Sequence, residues 1–411
     1  MRILCATDVP PWPERDGYRI RTANIVRSLA GVGEVDLFVV AVGQPIEPLA
    51  VPAAIRLSRT TVVPAPQRGT VAVLARWATG TSPRHLLRVD WNAPRALLLK
   101  WARPPYDLIW FEHAHTWAGL AGAVPGPTVV DLDNLEDRRL RQRHHAGRST
   151  GGRAEGSFAR RVAASLLDPI DERRWGQLQR RLANDVTAVL LCSDLDRGRL
   201  GAPNAVVVPN GYSLADKADV PTGRTSRAPV LVMISLLTYE PNVDGVWFFV
   251  DEVLPLVRAA VPSVELRLVG RHDHRVAAVA DRPGVALRGE VPDVGPELRD
   301  AAVVVVPIRS GGGTRIKILE AFARRVPVVS TTFGCEGIDA VPGEHLLIGD
   351  TPDALANACV QLLSDDALRT RVIDAAHALF VSRYRWEDIR PRVAALARAV
   401  ADGSFTSDPR P

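Results

Sequence analysis

The chain has 411 residues, of which 46% are hydrophobic and 24% are charged. This length exceeds what one hydrophobic core usually serves, so we expect two domains, and the apolar content excludes an intrinsically disordered chain. The 51 basic residues are nearly balanced by 46 acidic ones, and the sequence lacks basic segments with interleaved aromatic residues. We therefore expect no nucleic-acid partner.

In the first half of the chain, short apolar runs alternate with longer stretches of helical periodicity, which is typical of a parallel sheet with crossover helices. The predicted strands are Arg2 to Ala6, Glu34 to Val42, Asp107 to Phe111, Thr128 to Asp131, Ala188 to Cys192 and Ala205 to Val208. The longest predicted helix runs from about Ser157 to Asn184.

Arginines concentrate between Arg138 and Arg181. This region could lie against anionic lipid headgroups, which would make the protein peripheral to a membrane, or against an acidic substrate. A solvated helix face in an arginine-rich chain explains the same pattern.

A polar, proline-bearing stretch from Asp216 to Pro229 predicts a linker between two domains. The strands predicted after it are Val230 to Ile234, Glu265 to Val269, Val285 to Arg288, Val303 to Pro307 and Val326 to Thr331. An apolar stripe at helical spacing follows Asn242, which we expect to be the N-cap of that helix. Further helices are predicted from Pro352 onward.

Three glycines, Gly311 to Gly313, lie between the strand that ends at Pro307 and a helix predicted to begin near Thr314. Glycines let the backbone N–H groups turn toward one point, and the helix N-terminus adds partial positive charge, so this loop is suited to phosphate oxygens. Lys317 is one of three lysines in the chain, and its compact charge also suits a phosphate. One helical turn further, Glu320 could accept hydrogen bonds from the vicinal hydroxyls of a ribose. The segment therefore predicts a nucleotide site.

Short motifs along nearly the whole chain resemble those of glycosyltransferase family 4, and they come in the family's order. The pieces are Met1 to Thr7, Pro10 to Gly17, Ala188 to Ser193, Val206 to Gly211, Ser235 to Asn242, Val269 to Gly270, Gly289 to Asp293, Lys317 to Ala323, Pro327 to Thr331 and Gly334 to Gly337. The resemblance implies the α/β GT-B fold, in which two Rossmann-like parallel-sheet domains face a central cleft.

On this basis we expect residues 1–215 to form an acceptor-binding domain and residues 216–229 to form the linker. Residues 230–383 would form the nucleotide-sugar-binding domain. A C-terminal helix within residues 384–411 would cross back to the first domain. Acceptor choice would depend on connections such as Thr60 to Asp90 and Arg138 to Gly176.

The resemblance implies a retaining glycosyltransferase that moves a sugar from a nucleotide-diphosphate sugar to a hydroxyl of a glycan, lipid-linked or small-molecule acceptor. The expected donor-binding residues are Gly17, Arg309, Gly312, Gly313, Thr314, Arg315, Lys317 and Glu320. Because helix termini with Lys and Arg can neutralise a diphosphate, we expect neither a metal nor a cofactor. The carboxylate pairs Asp131 with Asp133 and Asp194 with Asp196 more often cap helices than bind metals.

A His-x-His sequence, His113 to His115, follows the strand that ends at Phe111. Family 4 enzymes often carry such a pair here, and the resemblance assigns one imidazole to the donor sugar. Side chains two positions apart in an extended segment point in opposite directions, so only one should face the cleft. We expect His115 to be the catalytic residue, with His113 as the second choice.

Three positions depart from the family pattern. Asp16 replaces the first glycine of a common Gly-Gly pair, and its carboxylate could bind a sugar hydroxyl or cap the helix after it. Gly312 stands where many members have a glutamate, and Ser235 to Asn242 contains neither of the usual Arg and Lys residues. Two alternatives stay open. One is a nucleotide-sugar epimerase of the same architecture, and the other is a non-catalytic relative, which the missing glutamate at Gly312 leaves possible.

The four cysteines are widely separated, and no pair has the spacing of metal ligands. We predict that they are buried thiols in a reducing compartment. The first residues enter a strand without a charged leader, and no apolar run approaches the roughly twenty residues of a membrane span. These features together predict a cytoplasmic protein.

Overall fold

The computed structural model describes residues 1–14, 16–43, 48–141, 158–213, 228–311 and 315–407. These residues form two compact units. With the gaps just named, the first unit consists of residues 1–141, 158–210 and 386–407, and the second consists of residues 211–385. The first unit is therefore discontinuous in sequence.

Within the described residues, the first unit is built on a seven-stranded parallel sheet in the order β3-β2-β1-β4-β5-β6-β7. The strands are β1 Arg2–Thr7, β2 Glu34–Val42, β3 Arg59–Ala65, β4 Leu108–Glu112, β5 Thr128–Asp131, β6 Ala188–Leu191 and β7 Ala205–Val207. Their order reverses between β1 and β4, and the carboxyl ends of strands at such a reversal are the usual ligand site of open α/β sheets.

The predicted strands of this unit agree with the structure within one residue, except that β3 was not predicted. Among the described residues, β3 pairs only with β2 and lies at the edge of the sheet. Its residues Arg59, Thr60, Thr61 and Pro64 interrupt the apolar run by which buried strands are recognised. An edge strand tolerates this composition because one side of its backbone needs no ladder partner.

The helices of the first unit cover both faces of its sheet. They are α1 Gly17–Ala30, α2 Thr70–Thr79, α3 Arg84–Leu87, α4 Asn92–Trp101, α5 His113–Leu120, α6 Phe158–Asp185, α7 Asp194–Leu200 and a C-terminal helix, Trp386–Ala401. On one face, Trp386, Ile389 and Val393 of the C-terminal helix are buried in one cluster with Ile25 and Leu29 of α1. The C-terminal helix thus completes the hydrophobic core of the first unit.

The second unit contains, among the described residues, a six-stranded parallel sheet in the order β10-β9-β8-β11-β12-β13. The strands are β8 Val230–Ile234, β9 Glu265–Val269, β10 Val285–Gly289, β11 Val303–Val306, β12 Val328–Ser330 and β13 Leu347–Ile348. The helices are α8 Glu240–Phe248, α9 Leu254–Ala260, α10 His274–Ala277, α11 Gly295–Asp300, α12 Ile316–Ala323, α13 Pro352–Ser364 and α14 Asp366–Arg383, with a π-helical turn at Phe249–Val253 between α8 and α9. Both units are therefore the α/β parallel-sheet domains that the sequence predicts.

The expected N-cap at Asn242 was wrong, because the N-cap of α8 is Tyr239, three residues earlier. Pro241 lies in the first turn of this helix, where proline is tolerated because its missing N–H would have no helical partner anyway. The side chain of Asn242 instead donates a hydrogen bond to the carbonyl of Leu236 at 2.8 Å. This places its amide oxygen toward the carboxyl end of β8.

Candidate functional site

The first candidate site lies at the carboxyl ends of β8 and β11, where Ser235 and residues 307–311 follow the strands. Gly312 to Thr314 lie outside the described residues, so their expected role in phosphate binding stays a prediction. Gly311, just before them, has a φ of 95°. A Cβ atom there would lie 2.8 Å from Cγ of Pro241, so glycine is required for the loop to pass this close to α8.

Lys317 lies in the first turn of α12 and reaches the end of β8. Its ammonium group donates hydrogen bonds to Oγ of Ser235 and, at 3.3 Å, to Oδ1 of Asn242. Burial, with a smaller contribution from the charge of Arg315, lowers the pKa of Lys317 to about 7. Among the described residues, no carboxylate pairs with this ammonium group. The site therefore contains a desolvated cation whose contacts are neutral oxygens.

The two arginines that were expected to add charge to this site already have partners in the described structure. Arg309 makes a bidentate ion pair with the buried carboxylate of Asp244, at 2.7 and 3.0 Å, and its guanidinium lies 4.3 Å from the ring centroid of Phe248. Arg315 donates a hydrogen bond to the carbonyl of Gly311 at 2.7 Å. Arg309 thus has its charge balanced, and Arg315 fixes the loop at its first glycine. Their roles in donor binding stay predictions.

Glu320 faces the same end of the unit and is held by two side chains that the sequence analysis did not identify. Its Oε1 accepts a hydrogen bond from the hydroxyl of Tyr212 at 2.6 Å and lies 3.6 Å from Nε of Arg324. Arg324 also donates a hydrogen bond to the Tyr212 hydroxyl at 3.1 Å. Burial raises the pKa of Glu320, while the hydrogen bond from Tyr212 and the charge of Arg324 act to lower it.

The second candidate site lies at the strand reversal of the first unit and is centred on His113. This residue follows β4 directly and has a φ of 67°, a strained value for a side chain other than glycine. Its Nδ1 lies 2.7 Å from Oδ1 of Asp8, in the loop after β1, and the ring of Tyr18 meets its ring edge-on at 5.3 Å. Although burial disfavours the imidazolium, the adjacent Asp8 raises the pKa of His113 to about 9. His113 is therefore a cation near neutral pH.

His115 follows Ala114 on the same helix as His113, but its environment differs from that of His113. Its ring packs between the rings of His85 and Trp175, at centroid distances of 5.0 and 4.8 Å. Burial lowers the pKa of His115, and its Nε2 is buried without a hydrogen-bond partner among the described residues. The expectation that the two histidines lie in an extended segment was wrong, because both belong to the first turn of α5. The catalytic role assigned to His115 stays a prediction.

His85, His115 and Glu136 are the group of described residues whose donor atoms could hold a metal ion, since these atoms all lie within 4.8 Å of one another. However, the carboxylate of Glu136 already forms an ion pair with Arg139 at 2.8 Å. A divalent cation would have to compete with that guanidinium and would be repelled by it. This arrangement fits a charge-balanced polar cluster better than a metal site.

A buried ionic network lies under the strand ends of the first unit. Arg21 donates two hydrogen bonds to the carboxylate of Asp131, at 2.7 and 2.9 Å, and its side chain is about 2% exposed. Asp133 accepts a hydrogen bond from Asn210 at 3.0 Å and another from the thiol of Cys192. The carboxylates of Asp131 and Asp133 are thus committed to this network. Asp194 and Asp196 instead lie in the first turn of α7, which Ser193 caps.

Asp16 and Gly17, which the sequence associates with this site, begin α1. The carboxylate of Asp16 accepts a hydrogen bond from the backbone N–H of Arg19 at 3.0 Å, so Asp16 is the N-cap. Gly17 is the first residue of the helix. The helix N-terminus therefore lies in the segment after β1, beyond Asp8.

All four cysteines are buried free thiols, as predicted.

These two parallel-sheet domains, each with polar side chains at its strand ends, define a protein of the GT-B class. Residues 228–365, within the second domain, match the sequence profile of the family described as Glycosyl transferases group 1. The chain is also 30% identical, over 207 residues, to the phosphatidyl-myo-inositol mannosyltransferase of Mycobacterium leprae. That match covers 48% of this chain and 54% of the mannosyltransferase, or about half of each.

Solved structures of the same class resemble nearly the whole chain. Sucrose-phosphate synthase from Thermosynechococcus elongatus superimposes with a TM-score of 0.68 at 18% identity, covering 98% of this chain and 100% of that one. Anabaena Alr3699/HepE in complex with UDP and glucose gives a TM-score of 0.64 at 16% identity, with coverages of 97% and 100%. The expected GT-B fold is thus confirmed. Separately, the helices of the described ranges include none with the length and apolar character of a membrane span.

Proposed function

We propose that the protein is a retaining, metal-independent glycosyltransferase that moves a sugar from a nucleotide-diphosphate sugar to an acceptor hydroxyl. The observation that carries this proposal is Lys317, a buried ammonium group at the carboxyl ends of β8 and β11. Burying a cation among neutral oxygens costs free energy, and an anionic ligand offsets that cost by restoring the charge balance. A diphosphate is such a ligand.

The surroundings of Lys317 support a nucleotide diphosphate over a simple anion. The N-terminus of α12 contributes partial positive charge, and the preceding glycine loop has the composition that lets backbone N–H groups approach phosphate oxygens. Glu320 lies three residues further along the same helix, and its carboxylate can accept from two hydroxyl groups of a ribose. UDP and glucose are bound by the structurally similar Alr3699/HepE, which supports a UDP-sugar or a related donor here.

We propose that His113 acts as a cation toward the donor or the acceptor sugar. Its pKa of about 9 makes it unsuitable as a general base at neutral pH, but the imidazolium can stabilise developing negative charge. The ion pair with Asp8 fixes its ring and leaves Nε2 for another contact. His115, which was first expected to be the catalytic residue, provides the comparison: if His113 acts on substrate, His113→Gln lowers kcat more than His115→Gln does.

We propose that the reaction needs no divalent cation, because Lys317 and the N-terminus of α12 supply positive charge where the diphosphate would bind. Activity that persists in excess EDTA supports this, and activity that disappears and returns with Mg²⁺ contradicts it. The anomeric configuration of the product, read by ¹H NMR, tests retention. Conversion of a nucleotide sugar without any acceptor would instead favour an epimerase.

We further propose a lipid-linked acceptor and peripheral membrane contact through the first unit. Val71 and Leu74 of α2 are 83% and 41% exposed, and Leu166 of α6 is 67% exposed. The two helices are joined by a hydrogen bond from the Trp77 indole to Asp171 at 2.7 Å. Exposed apolar side chains beside an arginine-rich region suit an anionic lipid surface. Binding to phosphatidylglycerol vesicles but not to phosphatidylcholine vesicles would support this contact.

The central test is calorimetric titration with UDP, GDP and their glycosyl esters, preceded by a thermal-shift screen. A ligand at one hundred times its Kd stabilises a protein by about 2.7 kcal/mol, which such a screen detects. Lys317→Met should weaken binding by roughly 10-fold or more, since hydrogen bonds to charged groups contribute about 1.5–3 kcal/mol. Lys100→Met is the matched control, because Lys100 is exposed on α4 of the first unit. Absence of binding by the wild-type protein would contradict the proposal.

A further inference from the structure

Tyr212 lies at the point where the chain enters the second unit, and its backbone is fixed there. Its N–H donates a hydrogen bond to the carbonyl of Tyr384 at 2.8 Å, and its backbone pairs in parallel with Arg385. Tyr384 and Arg385 are the last two residues of the second unit. The Tyr212 ring packs against the hydrophobic core of that unit. Its side chain therefore extends from an anchored backbone.

The Tyr212 hydroxyl holds one oxygen of the Glu320 carboxylate. It donates to Oε1 at 2.6 Å and accepts from Nη2 of Arg324 at 3.1 Å, while Nε of Arg324 lies 3.6 Å from the same Oε1. Arg324 is 7% exposed, so the group is shielded from solvent. Within the described residues, Oε2 of Glu320 accepts no hydrogen bond. One oxygen is fixed and the other is available to a ligand.

We propose that Tyr212 is a positioning residue for the donor nucleotide, which fixes Oε1 of Glu320 so that the carboxylate is oriented, through Oε2, for the ribose hydroxyls. The proposal rests on the proposed function, because it requires a ribonucleotide at this site. Phenylalanine at this position would keep the ring in the core but would lose the hydrogen bond, so the carboxylate could rotate.

The loss of the hydroxyl would also change the protonation of Glu320. A hydrogen bond donated to a carboxylate favours its ionised form, and burial together with Asp293 opposes it. Without the Tyr212 hydroxyl, the pKa of Glu320 would rise further. As the pH is lowered, protonation of Glu320 would abolish the ribose preference. This loss would occur at a higher pH in Tyr212→Phe than in the wild-type protein.

The experiment compares UDP with 2′,3′-dideoxy-UDP by calorimetry, or the GDP pair if the screen selects guanine. The measured quantity is the ratio of the two Kd values, which reports ribose recognition and cancels general effects on phosphate binding. Tyr212→Phe should reduce the ribose preference by about fivefold, the equivalent of one net hydrogen bond of about 1 kcal/mol. Tyr384→Phe is the matched control, since its hydroxyl accepts from the N–H of Asp339.

A second variant keeps the test independent of general destabilisation. Glu320→Gln should itself reduce the ribose preference, and Tyr212→Phe added to it should have no further effect on the ratio. In a double-mutant cycle this full coupling shows that Tyr212 acts through Glu320. Tyr212→Phe with the wild-type ratio, or with equal weakening of both nucleotides, would overturn the proposal. A wild-type protein without ribose preference would also overturn it. Failure of the wild-type protein to bind either nucleotide would instead contradict the proposed function.

Discussion

The pH dependence of donor binding follows from the buried position of Lys317. In the free protein the pKa of this ammonium group is lowered to about 7, mainly by burial. A bound diphosphate favours the ammonium form and raises this pKa again. Above pH 7 the donor must therefore bind together with a proton, so its affinity should fall as the pH rises. Below pH 7 Lys317 is already charged and the affinity should be nearly constant.

The size of this effect follows from the titration of one group. If the pKa in the complex lies well above 8, the apparent Kd should increase by about tenfold between pH 6 and pH 8, because each unit of pKa difference corresponds to about 1.4 kcal/mol. A sugar nucleotide is the better ligand for this measurement, since its diphosphate has no terminal phosphate that titrates in this range. Calorimetry in buffers of different ionisation enthalpy should show uptake of nearly one proton at pH 8.

Two variants separate Lys317 from other titrating groups. Lys317→Arg keeps its charge over the whole range and should bind with an affinity that changes little between pH 6 and pH 8. Lys317→Met should bind weakly at every pH. A wild-type Kd that is independent of pH would refute the reasoning, as would a Lys317→Met protein with the wild-type pH dependence.

Stability should depend on the same lysine. Because the folded-state pKa of Lys317 lies below its ordinary value of 10.5, the unfolded chain holds more protons between pH 7 and 10.5. The cost of burying the cation is fully present below pH 7 and is relieved as the pH rises through this window. The free energy of unfolding of the wild-type protein should thus rise relative to that of Lys317→Met, as measured by urea denaturation.

Three further predictions concern the first unit and the reaction. Asp8→Asn removes the charge that raises the pKa of His113 to about 9, so the alkaline decline of kcat should move to lower pH. In the wild-type protein this ion pair stabilises the fold fully below pH 6.5, and the stabilisation is lost as the pH rises through about 9. The variant should lack this stabilisation. Arg21→Met leaves Asp131 buried without its partner and should lower the free energy of unfolding by about 3–5 kcal/mol, whereas Arg19→Met, at a partly exposed ion pair, should change it by less than about 1 kcal/mol; equal effects in urea denaturation would contradict this. Excess EDTA should leave the initial rate of sugar transfer unchanged, and a rate restored only by Mg²⁺ would refute that expectation.

The sequence predicted most of the sheet architecture because both sheets are parallel and covered by helices. Strands of this kind are continuous runs of Val, Ile and Leu, such as Val303–Val306, whose side chains are all inaccessible to solvent. The edge strand β3 lacks such a run, and its mixed composition does not distinguish it from a loop. The start of α8 was misplaced because Asn242 was taken as a cap, although Pro241 already indicated a first helical turn.

The candidate site could be predicted only where local spacing determines it. Lys317 and Glu320 are three residues apart on one helix, so their common direction follows from helical geometry. Asp8 and Tyr212 are not close in sequence to the groups they contact, at separations of 105 and 108 residues. Asp8 and Tyr212 reach these groups only through the strand order and the path of the folded backbone. The positive φ of His113 likewise could not be predicted from the sequence. The strand ends just before His113, so neither histidine belongs to it.

The helix Trp386–Ala401 has a consequence for synthesis on the ribosome. The sheet of the first unit is complete in sequence by Val207, but the hydrophobic face that this helix covers stays open until the ribosome has added more than 180 further residues. The second unit ends at Arg385, so all of its chain is available before that of the first unit. During that interval the nascent first unit exposes apolar surface that includes Ile25 and Leu29 of α1. Chaperones bind exposed apolar surface of this kind.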